Sequence, residues 1–267
     1  MTEQLMIVDR TGELAARLPG AEQLQGHHMS SDAEIRDSFL RAKSGTIWLA
    51  SRAADLSALA TIESGRQIAQ RLMVLESVLP PRRSFLETLF RVVIDTVASV
   101  AMLPPAELVF ALGHPRRADR IVAGVASQED ETVVLYRGNL QPLRVPMSRL
   151  RARSGGAIPD LSSLAIIDFG QTVRLGKYEA SVDAILYELD PAFRKYAKAN
   201  RVQRDNTLGG AIRRLRQIRN LPRTAFASVV SEKELARIET NKVNPRDATL
   251  GKIAALLNVS SSEIATY

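Results

Sequence analysis

The most constraining feature of this chain is the spacing of start and stop signals in roughly its last sixty residues. Thr207 to Arg219 places Leu208, Ile212, Leu215 and Ile218 on one helical stripe and Arg213, Arg214, Arg216 and Arg219 largely off it. Asn220 suits the stop because it tolerates the left-handed conformation. Pro222 then opens a second segment at a position where its missing N–H costs little. Ser231 with Glu234 has the spacing of a capping box, after which Leu235 and Ile238 face inward and Glu232, Lys233, Ala236 and Arg237 face out. The run from Thr249 to Ser260 supplies further apolar residues. Stripes this short are buried only by helices packing on one another, so a small all-α unit is predicted.

Charge singles out the same segment. Residues 191–267 hold fifteen Lys and Arg against six Asp and Glu, a net of +9 where the whole chain carries +7, so the remainder is slightly acidic at −2. A cationic surface confined to a helical module points to a polyanion, and nucleic acid is expected ahead of a membrane. The absence of cysteine excludes a disulfide framework, thiolate metal sites and a cysteine nucleophile, and fits a reducing cytoplasm. The first residues lack the basic and apolar regions of a signal peptide. The longest apolar stretch, Phe85 to Leu103, is interrupted by Glu87, Arg91 and Asp95, which would be costly in lipid.

Over Thr207 to Ile264, and above all in Ala236-Arg237-Ile238-Glu239-Thr240-Asn241-Lys242, Asn244-Pro245 and the Leu250 to Val259 pattern, the chain resembles the lambda-repressor-like, Cro/C1-type helix-turn-helix family. That resemblance implies about five short helices that bind operator DNA, often as a dimer. It assigns base-edge contacts to Glu232, Lys233, Ala236 and Arg237 on the third helix. Arg223 and Thr224 before that helix, Thr240, Lys242 and Arg246 after it, and some arginines of the first helix are the expected phosphate donors. The chain departs from the family pattern in one respect. Only Ser228, Val229 and Val230 separate Ala227 from Ser231, without a turn glycine, so the second helix or its turn must be contracted.

Upstream, Ile121–Ala126, Thr132–Tyr136, Leu140–Val145, Leu164–Phe169 and Thr172–Leu175 are β-favouring runs. Arg137-Gly138-Asn139 and Gly170-Gln171 are natural hairpin turns. Glu179–Leu189 reads as a helix. Through Glu131 to Tyr136, Leu143 to Pro146, Ile167 to Gly170 and Tyr187 to Asp190, this segment resembles the domain-of-unknown-function family 2442. The resemblance implies a small α+β domain joined to a C-terminal helix-turn-helix and no particular reaction.

Nearer the start, Ser31 to Glu34 is expected to cap a helix reaching about Lys43, while Gly20–His28 reads as loop. Helical spacing of Leu56, Leu59, Ile62, Ile68, Leu72, Leu75 and Leu79, with a break near Ser64-Gly65, predicts helices up to Pro80-Pro81. Ser84 is expected to cap another that runs to Pro104. The fold class expected is therefore α+β multidomain. It comprises a mostly helical region (1–116), a small antiparallel α+β domain (117–190), a basic helical linker (191–206) and an all-α DNA-binding domain (207–267).

Rival chemistries are weakly served. His27, His28 and His114 have no metal-ligand spacing around them. Glu179, Asp183, Glu188 and Asp190 could be grouped as a nuclease metal site but read better as surface charge. Trp48, Phe85 and Phe90 could line an effector pocket, though such residues are usually core. No catalytic residue, metal or cofactor is expected. The leading expectation is a non-enzymatic, sequence-specific DNA-binding regulator in the cytoplasm that binds double-stranded DNA as a homodimer. Two alternatives stand beside it: an antitoxin-like or accessory component with a protein partner on residues 1–190, and an enzyme acting on nucleic acid.

Overall fold

The computed structural model describes residues 4–62, 68–97, 99–150, 156–203, 205 and 207–264. The chain divides into two compact units, Met1–Leu189 and Asp190–Tyr267. A boundary between residues 116 and 117 would fall inside the first of them.

Short apolar runs decide the architecture of the first unit. Strands β1 (Leu5–Val8), β2 (His27–Met29), β3 (Ile47–Ala50), β4 (Ile68–Val74) and β5 (Phe90–Ile94) form one parallel sheet in the order β2-β1-β3-β4-β5. Every residue of β1 and β3 is buried. Met6, Val8, Trp48, Ala50, Leu72 and Val74 share one core with Phe39, Leu56 and Leu86, while Leu5, Ile7, Ile47 and Leu49 alternate with them and are buried on the opposite face. Strands covered on both faces read as continuous apolar runs rather than as an alternation.

This sheet corrects the expectation of a mostly helical region over 1–116. A four-residue strand buried on both faces has the same apolar signature as one turn of a buried helix, and periodicity alone does not separate them. The stretch from Thr46 to Leu79 holds β3, a 3₁₀ segment at Ala53–Thr61 and β4. The break placed near Ser64-Gly65 lies outside the described residues. His27 and His28, expected in a loop, are exposed residues of the edge strand β2.

The helices were partly legible. After the one-turn α1 (Leu14–Arg17), helix α2 (Asp32–Arg41) begins at Ser31 with a complete capping box. The helix expected from Ser84 to Pro104 is instead α3 (Pro80–Leu89), and the next residue opens β5. Pro80-Pro81, expected to end a helix, starts one, since proline fits the first turn where N–H groups lack intrahelical partners. Phe39, Trp48 and Phe90 meet with ring centroids 5.4–6.0 Å apart, which places Trp48 and Phe90 in the core rather than around a ligand.

The rest of the unit is antiparallel, as expected, but forms two sheets. Strands β6 (Ala101–Met102), β7 (Ile121–Ser127), β8 (Thr132–Arg137) and β9 (Pro142–Pro146) make one, with α4 (Pro105–Gly113) between β6 and β7. Strands β10 (Leu164–Ile167), β11 (Thr172–Leu175) and β12 (Tyr178–Ser181) make the other, followed by α5 (Val182–Leu189). The turn after β10 has Asp168, Phe169 and Gly170 at positive φ, and a Cβ on Gly170 would lie 2.3 Å from the Ile121 carbonyl oxygen. At the other hairpin the positive φ falls on Leu140, while Gly138 is needed because a Cβ there would lie 2.5 Å from the Arg117 carbonyl.

The second unit is all helical among its described residues: α6 (Pro191–Gln203), α7 (Leu208–Ile218), a 3₁₀ turn at Arg223–Phe226, α8 (Glu232–Glu239), α9 (Asp247–Leu256) and α10 (Ser261–Ile264). Ile212, Leu215, Phe226, Leu235, Ile238, Ile253, Leu257 and Ile264 form its core. Asn220, Asn241 and Asn258 take positive φ just beyond α7, α8 and α9. In each case the asparagine N–H and the next residue's N–H return to the last turn, the paired bonds of a Schellman stop.

Candidate nucleic-acid interface

The exposed face of α8 is built from its two ends. Ser231 Oγ accepts from the Glu234 N–H at 3.2 Å, which fixes the start of the helix; the returning bond of a full capping box is not formed. At the other end Asn241 and Lys242 close the helix through the carbonyls of Ile238 and Arg237. Between these stops Leu235 and Ile238 are buried, whereas Glu232, Lys233 and Arg237 are exposed and Ala236 is half-buried. Lys233 and Arg237 are four residues apart and share one face.

A carboxylate that the sequence reading left unassigned holds this helix in place. Glu239 is 1 % exposed and receives Arg216 from α7, through Nε at 2.5 Å, and Arg223 from the 3₁₀ turn, through Nε at 2.9 Å and Nη2 at 2.7 Å. Arg216 also donates through Nη1 to the Leu221 carbonyl at 2.8 Å. One buried anion thus ties α7, the shortened second element and α8 together. The signal was present in the spacing, because Glu239 follows the inward-facing Leu235 by four residues and must point the same way.

The contraction read from Ala227 to Ser231 is visible as a second element reduced to the single 3₁₀ turn Arg223–Phe226. Phe226 anchors that turn in the core and is fully buried. The α7–α8 crossing is close enough to require glycine: a Cβ on Gly209 would lie 2.1 Å from the Ile238 carbonyl oxygen. Gly210 is equally confined by Asp205, whose carbonyl oxygen would be 2.4 Å from an added Cβ. Asp205 accepts from the Thr207 hydroxyl and N–H and from Asn241 Nδ2, and the Thr207 hydroxyl bond is the main cause of its carboxyl lying below the usual range.

The expected contact residues divide into free and committed groups. Among the described residues, Lys233, Arg237, Lys242 and Arg246 are exposed and form no ion pair. Thr224 is also exposed at the 3₁₀ turn. Arg223 has two donor positions given to Glu239. The Thr240 hydroxyl donates to the carbonyls of Ala236 and Arg237 at 2.8 and 3.3 Å, so its proton serves its own helix. Of the linker cations, Arg204 lies outside the described residues.

The rival sites do not assemble. Among the described residues no group of three or more His, Asp or Glu side chains could hold a metal ion. Glu188 pairs with Arg149 at 3.1 Å, and the Asp190 carboxylate caps α6 through the N–H groups of Ala192 and Phe193. His114 Nδ1 accepts from the Arg116 N–H at 3.0 Å. No helix of the described residues is long and apolar enough to cross a membrane.

The chain matches no curated protein and no solved structure. A family model of the helix-turn-helix, of the Cro/C1 type, matches residues 212–264, from within α7 to the end of α10. The matched span lies wholly in the second unit, so the resemblance of residues 120–190 to family 2442 rests on its sequence motifs alone. Residues 212–264 of this chain are thus similar to the helix-turn-helix family, which supports a C-terminal helix-turn-helix.

Proposed function

We propose that this protein is a non-enzymatic transcriptional regulator that reads double-stranded DNA as a dimer, with α8 in the major groove. The observation that carries the reading is the pair Lys233 and Arg237, both exposed and unpaired among the described residues, on a helix whose position is fixed by a buried ion-pair hub. Guanidinium and ammonium groups on one helix face suit the O6 and N7 acceptors of guanine. Glu232 adds an acceptor for a cytosine amino group, and Ala236 a methyl contact for thymine. Lys242, Arg246 and Thr224 are the phosphate donors, with Arg223 contributing what Glu239 leaves free. A two-fold dimer would set its two copies of α8 about 34 Å apart on a pseudopalindrome.

Selection of bound fragments from random genomic DNA with the full-length chain tests this reading. A recurring motif is expected, with Lys233→Ala and Arg237→Ala relaxing it. Lys242→Ala is expected to weaken all sequences alike and to lower the salt slope of binding by about 1. Fragments recovered without any shared motif would leave only non-specific binding.

A further inference from the structure

The carboxyl ends of β3 and β4 open into a cleft of about 670 Å³ whose walls include Arg52, Glu76, Leu79, Pro81, Arg82 and Phe85. In open parallel sheets ligands bind beyond the carboxyl ends of the strands where the strand order reverses, here between β1 and β3, and this cleft lies at the same edge one strand further along. The volume is that of a small-molecule site, which typically spans roughly 300–1,000 Å³.

The polar groups of the cleft are unequally satisfied. Glu76 is committed: its Oε1 accepts from the Ala53 N–H at 2.7 Å, and Arg17 lies 3.7 Å from Oε2. Arg52 gives Nη1 to Glu13 at 2.9 Å, but its Nε is buried without a hydrogen-bond partner. Arg82 is exposed and forms no ion pair among the described residues. Helix α3 begins at this cleft, yet its first turn has no amide to spare. Pro80 and Pro81 carry no N–H, and the N–H groups of Arg82 and Arg83 both return to the Leu79 carbonyl at 3.0 and 2.9 Å. The start of α3 therefore offers an anion no free amide, and Arg52 and Arg82 are the cationic side chains of the cleft. Apart from the exposed Ser77, the remaining side chains are carbon, including Leu79 at 75 % exposure and the half-buried Phe85.

We propose that this cleft binds a small organic monoanion with an apolar body, a carboxylate carried on an aromatic ring or a branched alkyl chain. The carboxylate meets the exposed Arg82 guanidinium, with Arg52 adding positive charge to the same lining. The apolar body covers Leu79, Pro81 and Phe85.

Calorimetric titration of the full-length chain with benzoate and with 4-methylvalerate, beside the neutral benzyl alcohol, tests the proposal. Saturable binding of at least one carboxylate is expected, with benzyl alcohol at least tenfold weaker. Arg82→Ala should weaken the carboxylate about tenfold, the loss of one charge-assisted hydrogen bond. Leu79→Asp should abolish binding. Both side chains are exposed, so neither variant should unfold below the parent; Leu79 is the N-cap of α3, where Asp adds a capping group. The proposal is overturned if neither carboxylate saturates, if the alcohol binds as well as the carboxylates, or if binding survives both substitutions. The readout is ligand binding to the first unit, so its failure would leave the DNA-binding reading untouched.

Discussion

The two units differ in how far their own carboxylates balance their cations. In the first, Arg10 pairs with Asp32, Arg17 and Arg52 share Glu13, Arg83 meets the buried Asp95, and Arg149 meets Glu188. In the second, Glu239 takes Arg216 and Arg223, while Lys233, Arg237, Lys242 and Arg246 stand exposed without an ion pair among the described residues. Among the described residues the first unit also keeps exposed cations without an ion pair, such as Arg82, but residues 1–190 carry a net charge of −2 and residues 191–267 one of +9, so the surplus open to an external polyanion lies in the second unit. The difference also separates charge that holds structure from charge that can bind, and substitutions can test that division directly.

The largest effect is expected at the hub. Glu239→Ala leaves two guanidinium groups facing an emptied, buried site, and breaking a buried pair by removing one partner costs about 3–5 kcal/mol. Chemical denaturation of the second unit should show that loss, with DNA binding falling in parallel. Stability unchanged by the substitution would mean that Glu239 belongs with the dispensable surface charges. Arg237→Ala should behave in the opposite manner. It should leave stability near that of the parent while costing roughly 1–3 kcal/mol at one base position, read by competition between operator variants.

Smaller effects follow from the helix stops and from protonation. Asn258 holds φ at 51°, so Asn258→Ala should cost about 1 kcal/mol and Asn258→Gly should not, as thermal unfolding can show. Asp205 has a folded pKa below its unfolded one, chiefly because the Thr207 hydroxyl bonds its carboxylate. Its contribution is therefore complete above the ordinary carboxylate range and is lost as pH falls through the lowered value. Asp205→Asn should flatten that part of the acid-unfolding profile; an unaltered profile would remove Asp205 from the account.

The second unit was more legible in the sequence than the first, for a physical reason. Thr207, Asn220, Pro222 and Ser231 punctuate its helices, and Ile212 and Leu215 of the expected first stripe are buried, although Ile218, placed on the same stripe, is 68 % exposed at the end of α7. Even the shortened second element followed from counting residues. By contrast, β1 and β3 are buried on both faces and carry no alternation, so their strand character depends on neighbours far along the chain. The hub was half visible: Glu239 lies on the inward face by spacing, but its partners Arg216 and Arg223 come from two other elements. The cleft at Arg52 and Arg82 was not visible at all, since only the parallel sheet brings residues 52, 76 and 82 to one edge.

If α8 reads sequence rather than charge alone, the ratio of affinities of the full-length protein for a selected operator and for random DNA, measured across a salt series, separates the two. A preference is expected that persists as salt rises and collapses in the Lys233→Ala, Arg237→Ala double variant, since base contacts are far less salt-dependent than phosphate contacts. Equal affinity for the two DNAs at every salt concentration would contradict it.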